Sequence, residues 1–486
     1  MTKYILPRFS DVIFLSLLIS VLLFGPTTFN LDGDLGRHIT IGNYILNSQS
    51  IPTQDIFSHT MFGQPLTPHE WLSQVIFALA HSGLSLSGAV LIAAILIASA
   101  FALVYYDSRQ RSDMPFLSLG LTVLAAAASS IHWLTRPHIF TFLYLAVWVY
   151  LLENVQRNKF ISIWVFGVIM LLWANTHGAF IAGFLVWGAY AAGHILESQI
   201  QKQWQPKKLK IWLSIGLLSF TATLLNPDGI HLWGTSFGFI GNTYLVSHTQ
   251  EYQPVNFHGP GSWPFLVIIL LSILILGIKN HRLQISHSLL LAGWTILGLY
   301  SARNIPLYAI IITPILTEAL AKSLPESRWR AIEANLLRTE KSIRGMLWPI
   351  SSIGLAIILL RTQALQTYNI YNPSVFPVDG VNWLIENPQD GRIFNHFTWG
   401  GYLLYREWPD QLVFIDGQTD FYGEKLTREY EQIISLSGNW NSVLEKYQVT
   451  LAIIPTNSPL ETALLQHGEW FIIYQDNTST ILKKDG

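Results

Sequence analysis

Long apolar runs recur along most of this chain and constrain its fold more than any other feature. About eleven runs approach the roughly 20 residues that an α-helix needs to cross a bilayer. They lie near 11–27, 84–106, 116–132, 138–153, 160–176, 178–196, 211–226, 263–278, 286–301, 304–320 and 345–361. Only 12% of the 486 residues are charged, whereas soluble domains are about a quarter charged. We therefore expect a polytopic α-helical membrane protein with about 11 transmembrane helices.

The composition also excludes several classes of protein. A net charge of -1 leaves no basic surface for nucleic acid. The absence of cysteine excludes disulfides, thiol catalysis and Cys-ligated metal. Lys3 and Arg8 precede the first apolar run, as in a signal peptide, but no small-residue cleavage site follows. We predict that this run is a retained first helix.

Basic residues are concentrated in alternate loops, which predicts the orientation of the chain. One set of loops carries Lys3, Arg8, Arg109, Arg111, Arg157, Lys159, Lys202, Lys207, Lys208, Lys210, Lys279, Arg282 and the segment 323–345. The opposite loops carry mainly Arg37, Arg136 and Arg303. We predict a bacterial cytoplasmic membrane protein with a cytoplasmic N-terminus and an extracytoplasmic C-terminus. The segment from His69 to Gly83 is predicted to be interfacial, because a full span there would abolish the asymmetry.

From about residue 362 the composition changes to that of a soluble α/β domain. PVDGVNWLIENP is predicted to be a helix, and LTREYEQIISLSGNWNSVLEKYQ one or two amphipathic helices. RIFNHF, QLVFIDG, VTLAIIP and WFIIYQD are predicted to be strands. The predicted domains are therefore a transmembrane domain at 1–361, with a first extracytoplasmic loop at 28–83, and a C-terminal extracytoplasmic α/β domain at 362–486.

The outward loops carry most of the reactive side chains. They are Asp32, Asp34, His38, Asp55, His59, His69, Glu70, His132, Arg136, His138, Asn175, His177, Asn226, Asp228, His231, His248, Glu251, His258 and Arg303. Any one of these residues, taken alone, is as readily a hydrogen-bonded polar group at a helix end as a functional group. Ionisable groups near membrane depth are costly, however, so their collection on one face predicts an active or binding site there.

Asp32 and Asp34 form a D-x-D pair directly after the first span. Two carboxylates can supply oxygen ligands to a hard divalent cation. One of them can instead act as a general base, or the pair can orient an acceptor group. Arg136 and Arg303 are fixed outward cations whose guanidinium groups suit phosphate.

A first span, an outward D-x-D loop, about ten further spans and an outward α/β domain together resemble the GT-C glycosyltransferases. That superfamily uses sugars linked to polyprenyl phosphate and works on the outer or lumenal face of the membrane. GDLGRHITIGNYILNSQSIPTQDIFSHT followed by PHEWL also resembles a group of uncharacterised bacterial proteins described as mannosyltransferase-like.

Two stretches resemble the catalytic subunits of oligosaccharyltransferases. FTWGGYLLYREWPDQLVFIDGQTDFYG has the layout of their WWDYG motif, with Trp399 and Tyr402 inside it and Asp416 after it. The Asp of that motif is replaced by Gly400 or Gly401. HTQEYQP supplies Glu251 where those enzymes place an outward Glu.

The resemblance implies transfer of a sugar or oligosaccharide from a polyprenyl-phosphate or diphosphate donor to an extracytoplasmic glycan, lipid or protein. It implies catalytic roles for Asp32, Asp34 and Glu251, which would also hold Mg²⁺ or Mn²⁺ if the reaction depends on a metal ion. The expected donor-phosphate residues are Arg136, Arg303 and His38. The expected acceptor or substrate residues are His69, Glu70, His177, Trp399, Tyr402 and Asp416.

Two other functions remain open. A transporter or flippase of lipid-linked sugars would need charges inside its spans and often broken helices, whereas the charges here lie mostly at span ends. A non-catalytic subunit that binds polysaccharide would fit the replaced motif Asp. Zinc, ATP and NAD are disfavoured, because the sequence contains no H-E-x-x-H, P-loop or Rossmann motif.

Overall fold

A computed structural model describes residues 2–277, 283–325, 328–343 and 347–485. Its N-terminal three quarters are helical. The helices are α1 (Thr2–Ile5), α2 (Phe9–Leu23), α3 (Thr27–Asn30), α4 (Asp34–Ser48), α5 (Trp71–Leu84), α6 (Leu86–Ser112), α7 (Pro115–Ser129), α8 (His138–Gln156), α9 (Ile163–Thr176), α10 (Ile181–Ile200), α11 (Pro206–Thr223), α12 (His231–Gly241), α13 (Thr243–His248), α14 (Trp263–Leu276), α15 (Ile285–Tyr300), α16 (Ile305–Ser323), α17 (Arg328–Ser342), α18 (Leu347–Leu360) and α19 (Gln363–Gln366).

Five helical segments are long and apolar enough to cross a membrane. They are Leu86–Ser112, Pro115–His132, His138–Gln156, Gly178–Ile200 and Ala302–Ser323. The bent pair Arg328–Ser342 and Leu347–Leu360 gives a sixth if it forms one span.

The predicted count of 11 spans is not confirmed. Four of the remaining predicted runs fall on apolar helices of 10–17 residues, namely Phe9–Leu23, Ile163–Thr176, Pro260–Leu276 and Ile285–Tyr300. The run near 211–226 falls on α11, which opens with the basic sequence PKKLK. The segment predicted to be interfacial is the helix Trp71–Leu84, which also belongs to the shorter class. A 14-residue helix is only about 21 Å long, less than the hydrocarbon core of about 30 Å. Lys279, Arg282, Glu326, Ser327, Arg344 and Gly345 of the predicted inner loops, and the ends of two predicted runs, lie outside the described residues.

Buried charges hold together one end of the helical bundle. Glu153, near the end of α8, accepts hydrogen bonds from Arg157 Nε (2.7 Å), Tyr190 OH (2.8 Å) and His287 Nε2 (2.9 Å). Arg111 Nη1 lies 3.2 Å from the same carboxylate and is also paired with Asp107. Arg157 Nη2 also pairs with Glu318 Oε2 at 2.6 Å. The group therefore joins five helices, α6, α8, α10, α15 and α16.

The helix α17 caps two membrane helices from the same side. The buried Glu333 accepts hydrogen bonds from the backbone N–H groups of Phe116 (2.9 Å) and Leu117 (3.1 Å), at the start of α7. Glu340 accepts one from Phe9 N (2.9 Å), at the start of α2. A carboxylate at a helix N-terminus satisfies unpaired N–H groups and complements the helix dipole.

The C-terminal part contains one four-stranded sheet. Its strands are β1 (Arg392–Asn395), β2 (Val449–Pro455), β3 (Trp470–Gln475) and β4 (Ser479–Lys484), and its helices are α20 (Val378–Glu386), α21 (Gly400–Glu407), α22 (Thr419–Ile434), α23 (Trp440–Lys446) and α24 (Pro459–Gln466). The strand order is β1-β2-β4-β3. β1 and β2 are parallel, and β4 is antiparallel to both β2 and β3.

The predicted strand QLVFIDG is not part of this sheet. Within it, Val413 makes only an isolated parallel bridge to Ser58 of the first loop. Phe414 N donates instead to the side chain of Asn395, at the end of β1. Val413 joins the first loop to the C-terminal part, because its N–H donates to Phe57 O and its carbonyl accepts from His59 N. The fourth strand is β4, whose polar sequence STILKK was not predicted to be a strand.

The first loop, at residues 28–83, and the C-terminal part share a hydrophobic core. One buried apolar cluster contains Leu35 and Ile39 of α4, Phe77 of α5, Leu403 of α21 and Ile453 of β2. Burial of such side chains is worth roughly 1.5–3 kcal/mol each. The cluster therefore fixes the position of α4, which begins with the D-x-D pair.

Candidate functional site

The acidic loop leads directly into α4. Asp34 is the first residue of that helix, and its backbone N–H donates to Asp32 Oδ1 at 2.9 Å. A carboxylate in the first turn is favoured by the helix dipole. The carbonyl of Thr398 covers Gly33 so closely that no Cβ would fit. The spacing of the two carboxylates is therefore set by a turn that requires glycine.

Arg136 joins both carboxylates of this loop. Its Nη1 donates to Asp32 Oδ2, and its Nη2 lies 2.9 Å from Asp34 Oδ2. The residue precedes α8, in a segment tied back to the acidic loop. There Thr135 N donates to Thr28 O at 2.8 Å, and the two threonine hydroxyls lie 2.7 Å apart. Both threonines are buried, so the backbone itself holds the guanidinium beside the acids.

Glu251 lies between the two outward arginines. Its Oε1 accepts from Arg303 Nη1 at 2.9 Å, and its Oε2 lies 3.6 Å from Arg136 Nη1. His132 Nε2 is also 3.6 Å from Oε2. Charges thus alternate from Arg303 through Glu251 and Arg136 to the D-x-D pair. The structure thus brings together five residues that the sequence singled out, namely Asp32, Asp34, Arg136, Glu251 and Arg303.

Arg303 is held by neutral partners as well. Its Nη1 also donates to Tyr252 OH, and its Nη2 lies 3.2 Å from His177 Nε2. The other ring nitrogen of His177 lies 2.9 Å from Thr141 Oγ1, which in turn accepts from Trp173 Nε1 at 2.9 Å. Burial lowers the pKa of His177 well below its usual value. A neutral imidazole is therefore compatible with the adjacent guanidinium.

Burial and charge set the acid–base properties of the carboxylates differently. Burial raises the pKa of Asp32 to about 6, although Arg136 opposes the shift. Burial also raises the pKa of Asp34. Burial acts in the same direction on Glu251, but Arg303 and Arg136 outweigh it and hold the pKa of that carboxyl well below its usual range. Asp32 is therefore the group closest to exchanging a proton near neutral pH.

Asp416 pairs with Arg37 on another face of α4. Arg37 Nε lies 3.5 Å from Asp416 Oδ1, and Arg37 Nη2 donates to Gln418 Oε1. Asp416 also accepts from Gln418 N at 2.8 Å and from Tyr422 OH at 3.2 Å. This buried carboxylate joins α4 to the C-terminal part.

To one side of the contacts that run from Arg303 to the D-x-D pair lie three further predicted residues, His38, His69 and Glu70. His38 Nδ1 is 3.9 Å from Glu70 Oε2 and 3.5 Å from Gln74 Nε2. His69 Nε2 is 3.9 Å from both Glu70 Oε1 and Asp420 Oδ2. Burial lowers the pKa of His38 well below its usual value. A small pocket here is lined by Arg37, Ile41, Pro52, Leu66, Thr67, Pro68, His69, Glu70, Gln74 and Gln418.

Trp399 and Tyr402 are enclosed in this structure. They are 3% and 1% exposed. Trp399 Nε1 donates to Val375 O at 2.8 Å, and Tyr402 OH accepts from Arg406 at 2.9 Å. Their neighbour Gly401 meets the carbonyl of Gly33, where a Cβ would not fit. The geometry thus gives a physical reason why no Asp stands at this point of the motif. The ring of Tyr402 packs against Tyr371 and Phe376, and the ring of Trp399 against His396.

The three acids expected to hold a metal ion share a guanidinium instead. Among residues 2–277, 283–325, 328–343 and 347–485, no group of three or more His, Asp or Glu is arranged to hold a metal ion. The donor chemistry of Asp32, Asp34 and Glu251 suits Mg²⁺ or Mn²⁺. Their oxygens, however, are directed at Arg136, so this arrangement does not fit a metal site.

Several residues of the site were not predicted from the sequence. Tyr252 follows Glu251 directly and contacts Arg303. Gln418 contacts Arg37, and Gly417 lies against the Asp34 carboxylate, where a Cβ would overlap it. Their only sequence signal is adjacency to the predicted residues Glu251 and Asp416.

Comparison with known proteins identifies the fold. No family model and no curated protein sequence matches the chain. Among solved structures, the archaeal oligosaccharyltransferase AglB from Archaeoglobus fulgidus, in complex with an inhibitory peptide and a dolichol-phosphate, matches with a TM-score of 0.58 and 13% identity over 93% of this chain and 70% of that one. The apo form of the Archaeoglobus fulgidus oligosaccharyltransferase gives 0.53 and 13%, over 91% and 69%. ArnT from Cupriavidus metallidurans in the apo state gives 0.51 and 11%, over 97% of both chains. The chain therefore shares its fold with AglB and with ArnT.

Proposed function

We propose that this protein is a membrane glycosyltransferase that moves a sugar or oligosaccharide from a polyprenyl-phosphate or diphosphate donor to an extracytoplasmic acceptor. The observation that carries the proposal is the ladder of Arg303, Glu251, Arg136 and the D-x-D pair at the outer end of a GT-C fold. AglB in complex with a dolichol-phosphate supports a lipid-linked donor. The acceptor is a glycan, lipid or protein of the cell envelope of a bacterium.

Asp32 is the proposed general base. A base works best when its pKa lies near the operating pH, and burial brings Asp32 to about 6. Asp32 takes the proton of an acceptor hydroxyl or amide while the acceptor atom forms a bond to the anomeric carbon. Asp34 orients the acceptor beside it. The bond between the anomeric carbon and the phosphate oxygen breaks, and the leaving lipid phosphate keeps the electron pair.

Arg303 and Arg136 are the proposed groups for the leaving phosphate. A guanidinium has five N–H donors, so each retains donors beyond those directed at Glu251 and the acidic loop. Stabilising the charge that develops on the leaving group is usually a large part of such catalysis. His38, His69 and Glu70 are proposed to line the approach of the acceptor, beside the pocket that His69 and Glu70 help to line. His177 is proposed to act through its contact with Arg303. Trp399, Tyr402 and Asp416 are proposed to position the acidic loop.

The test is transfer by the purified protein in nanodiscs. Synthetic short-chain polyprenyl-phosphate hexoses and polyprenyl-diphosphate oligosaccharides serve as donors, and cell-envelope extract supplies acceptors. Release of the lipid phosphate and labelling of the acceptor are both measured. Asp32→Asn and Asp34→Asn should abolish both signals without loss of membrane expression. Asp390→Asn, at an exposed position of the C-terminal part, is the matched control and should behave as wild type.

Two outcomes would favour the other functions. Movement of a fluorescent lipid-linked sugar across proteoliposomes, without its cleavage, would indicate a flippase. Tight binding of envelope polysaccharide with no cleavage of any donor would indicate a non-catalytic subunit. Near-normal transfer by both aspartate variants would remove the catalytic role of the D-x-D pair.

A further inference from the structure

One guanidinium, that of Arg136, contacts three carboxylates in the candidate site. Arg136 donates through Nη1 to Asp32, lies 2.9 Å from Asp34 through Nη2, and lies 3.6 Å from Glu251 through Nη1. Each contact uses one oxygen of its carboxylate, namely Oδ2 of the two aspartates and Oε2 of the glutamate. A hard divalent cation between the three acids would also need carboxylate oxygens as ligands.

The position of the guanidinium is built into the backbone. The buried hydrogen bonds between Thr28 and Thr135 fix the segment before Arg136 to the segment before Asp32. Pro137 follows Arg136 and leads into α8. On the acid side, the turn from Asp34 N to Asp32 Oδ1 leaves Oδ2 free to face the arginine. Neither partner depends on a flexible surface side chain.

The charges of this group nearly balance. Asp32, Asp34 and Glu251 contribute three negative charges when ionised, and Arg136 and Arg303 contribute two positive ones. A divalent cation placed between the acids would lie within a few ångströms of Arg136 and would be repelled by it. A fixed guanidinium also keeps its charge at all accessible pH values.

We infer that Arg136 takes the place of a divalent metal ion in this site, so that the acid cluster is complete without one. The inference goes beyond the proposed transfer reaction, because it concerns metal binding by the protein alone. Arg136 then balances the charge of the three acids, and its remaining N–H donors stay available to the leaving phosphate beside Arg303.

The experiment measures Mn²⁺ binding by the purified, substrate-free protein, by electron paramagnetic resonance and titration calorimetry. Wild type should bind no stoichiometric Mn²⁺ at the cluster. Arg136→Ala should bind one Mn²⁺ per chain at least about 100-fold more tightly than wild type, because the repelling charge is gone and three acids remain. The double variant Arg136→Ala with Asp34→Asn should lose that ion.

Arg303→Ala is the matched control. It removes a guanidinium that touches only Glu251 among the three acids, so it should leave Mn²⁺ binding as weak as in wild type. Thermal melts of Arg136→Ala with and without Mn²⁺ give a second readout, since the ion should restore stability lost with the arginine.

Two results would overturn the inference. One is a wild-type protein that binds one Mn²⁺ and loses it on Asp34→Asn substitution, with Arg136 intact. The other is a folded Arg136→Ala protein that binds no Mn²⁺. If Arg136→Ala does not give a monodisperse protein, the wild-type measurement decides alone. None of these outcomes depends on transfer activity, so the inference and the proposed function fail separately.

Discussion

Gly417 allows a test of whether the C-terminal part positions the reacting carboxylate. A Cβ at this position would overlap the carboxylate of Asp34, with the two oxygens and their carbon all closer than van der Waals contact. The backbone of Gly417 has no positive φ, so alanine is compatible with it. Gly417→Ala therefore displaces Asp34 without removing any charge from the site.

The size of the expected effect follows from this overlap. The carboxylate must move by about an ångström or more, away from the Nη2 contact of Arg136 at 2.9 Å. Misplacement by about 1 Å can cost about 100-fold in rate, which corresponds to about 2.7 kcal/mol of transition-state stabilisation. Overpacking also destabilises the fold by roughly 1–3 kcal/mol. We therefore expect kcat/KM for transfer to fall about 100-fold at temperatures well below the melting transition.

Gly234→Ala is the matched control, because that glycine of α12 has open space around its Cα. Transfer is measured with the same lipid-linked donors, and thermal melts verify that each variant is folded. The reasoning is refuted if Gly417→Ala transfers at the wild-type rate while Asp34→Asn is inactive. In that case the contact between Gly417 and Asp34 has no part in positioning.

Three further predictions concern charge. Transfer should slow as pH falls through about 6, because Asp32 has its pKa raised to about 6 by burial and only the ionised carboxylate accepts a proton; a flat profile from about pH 5 to 8 contradicts this role. Arg303→Lys should raise KM for the donor about tenfold with little change in kcat, because a single ammonium cannot reach all the partners of the guanidinium; steady-state kinetics with varied donor would show an unchanged KM if the residue does not meet the donor. Glu153→Gln should lower the free energy of unfolding by about 3 kcal/mol. This is the lower end of the range of about 3–5 kcal/mol for breaking a buried ion pair, because Arg111 still pairs with Asp107. Glu318→Gln should cost only about 1 kcal/mol, because its partners Arg157 and Lys322 are 32% and 53% exposed although Glu318 itself is buried. Equal losses for the two variants in thermal melts would contradict the central place of Glu153.

The sequence predicted which loops meet but not how their side chains pair. Charge asymmetry between loops placed Asp32, Arg136, Glu251 and Arg303 on one side, and a bundle of this size brings such loops together. The pattern could not show that Arg136 lies between the acids, because that position depends on the link between distant segments through Thr28 and Thr135.

The sequence also could not show which side chains of the predicted site are buried. Trp399 and Tyr402 belong to a motif that resembles a substrate-binding one, yet both rings are buried, with Tyr371 and Phe376 packed against Tyr402. The predicted count of 11 spans is not confirmed for a related reason. Helices of 14–17 residues are apolar enough to match a hydropathy pattern, and their length is decided by caps and turns such as Ser301, where α15 ends.

Because the first loop, at residues 28–83, and the C-terminal part share one apolar core, the C-terminal part should not be stable when it is excised alone. Cutting the chain at residue 361 would leave Ile453 and Leu403 without Leu35 and Ile39, their neighbours in the same apolar cluster, and would leave Val413 without Ser58. The excised segment would expose that surface to water and would be prone to aggregate. A soluble fragment for crystallography should therefore carry residues 28–83 joined by a linker. In the intact protein, heating should melt the loop and the sheet together in one cooperative transition.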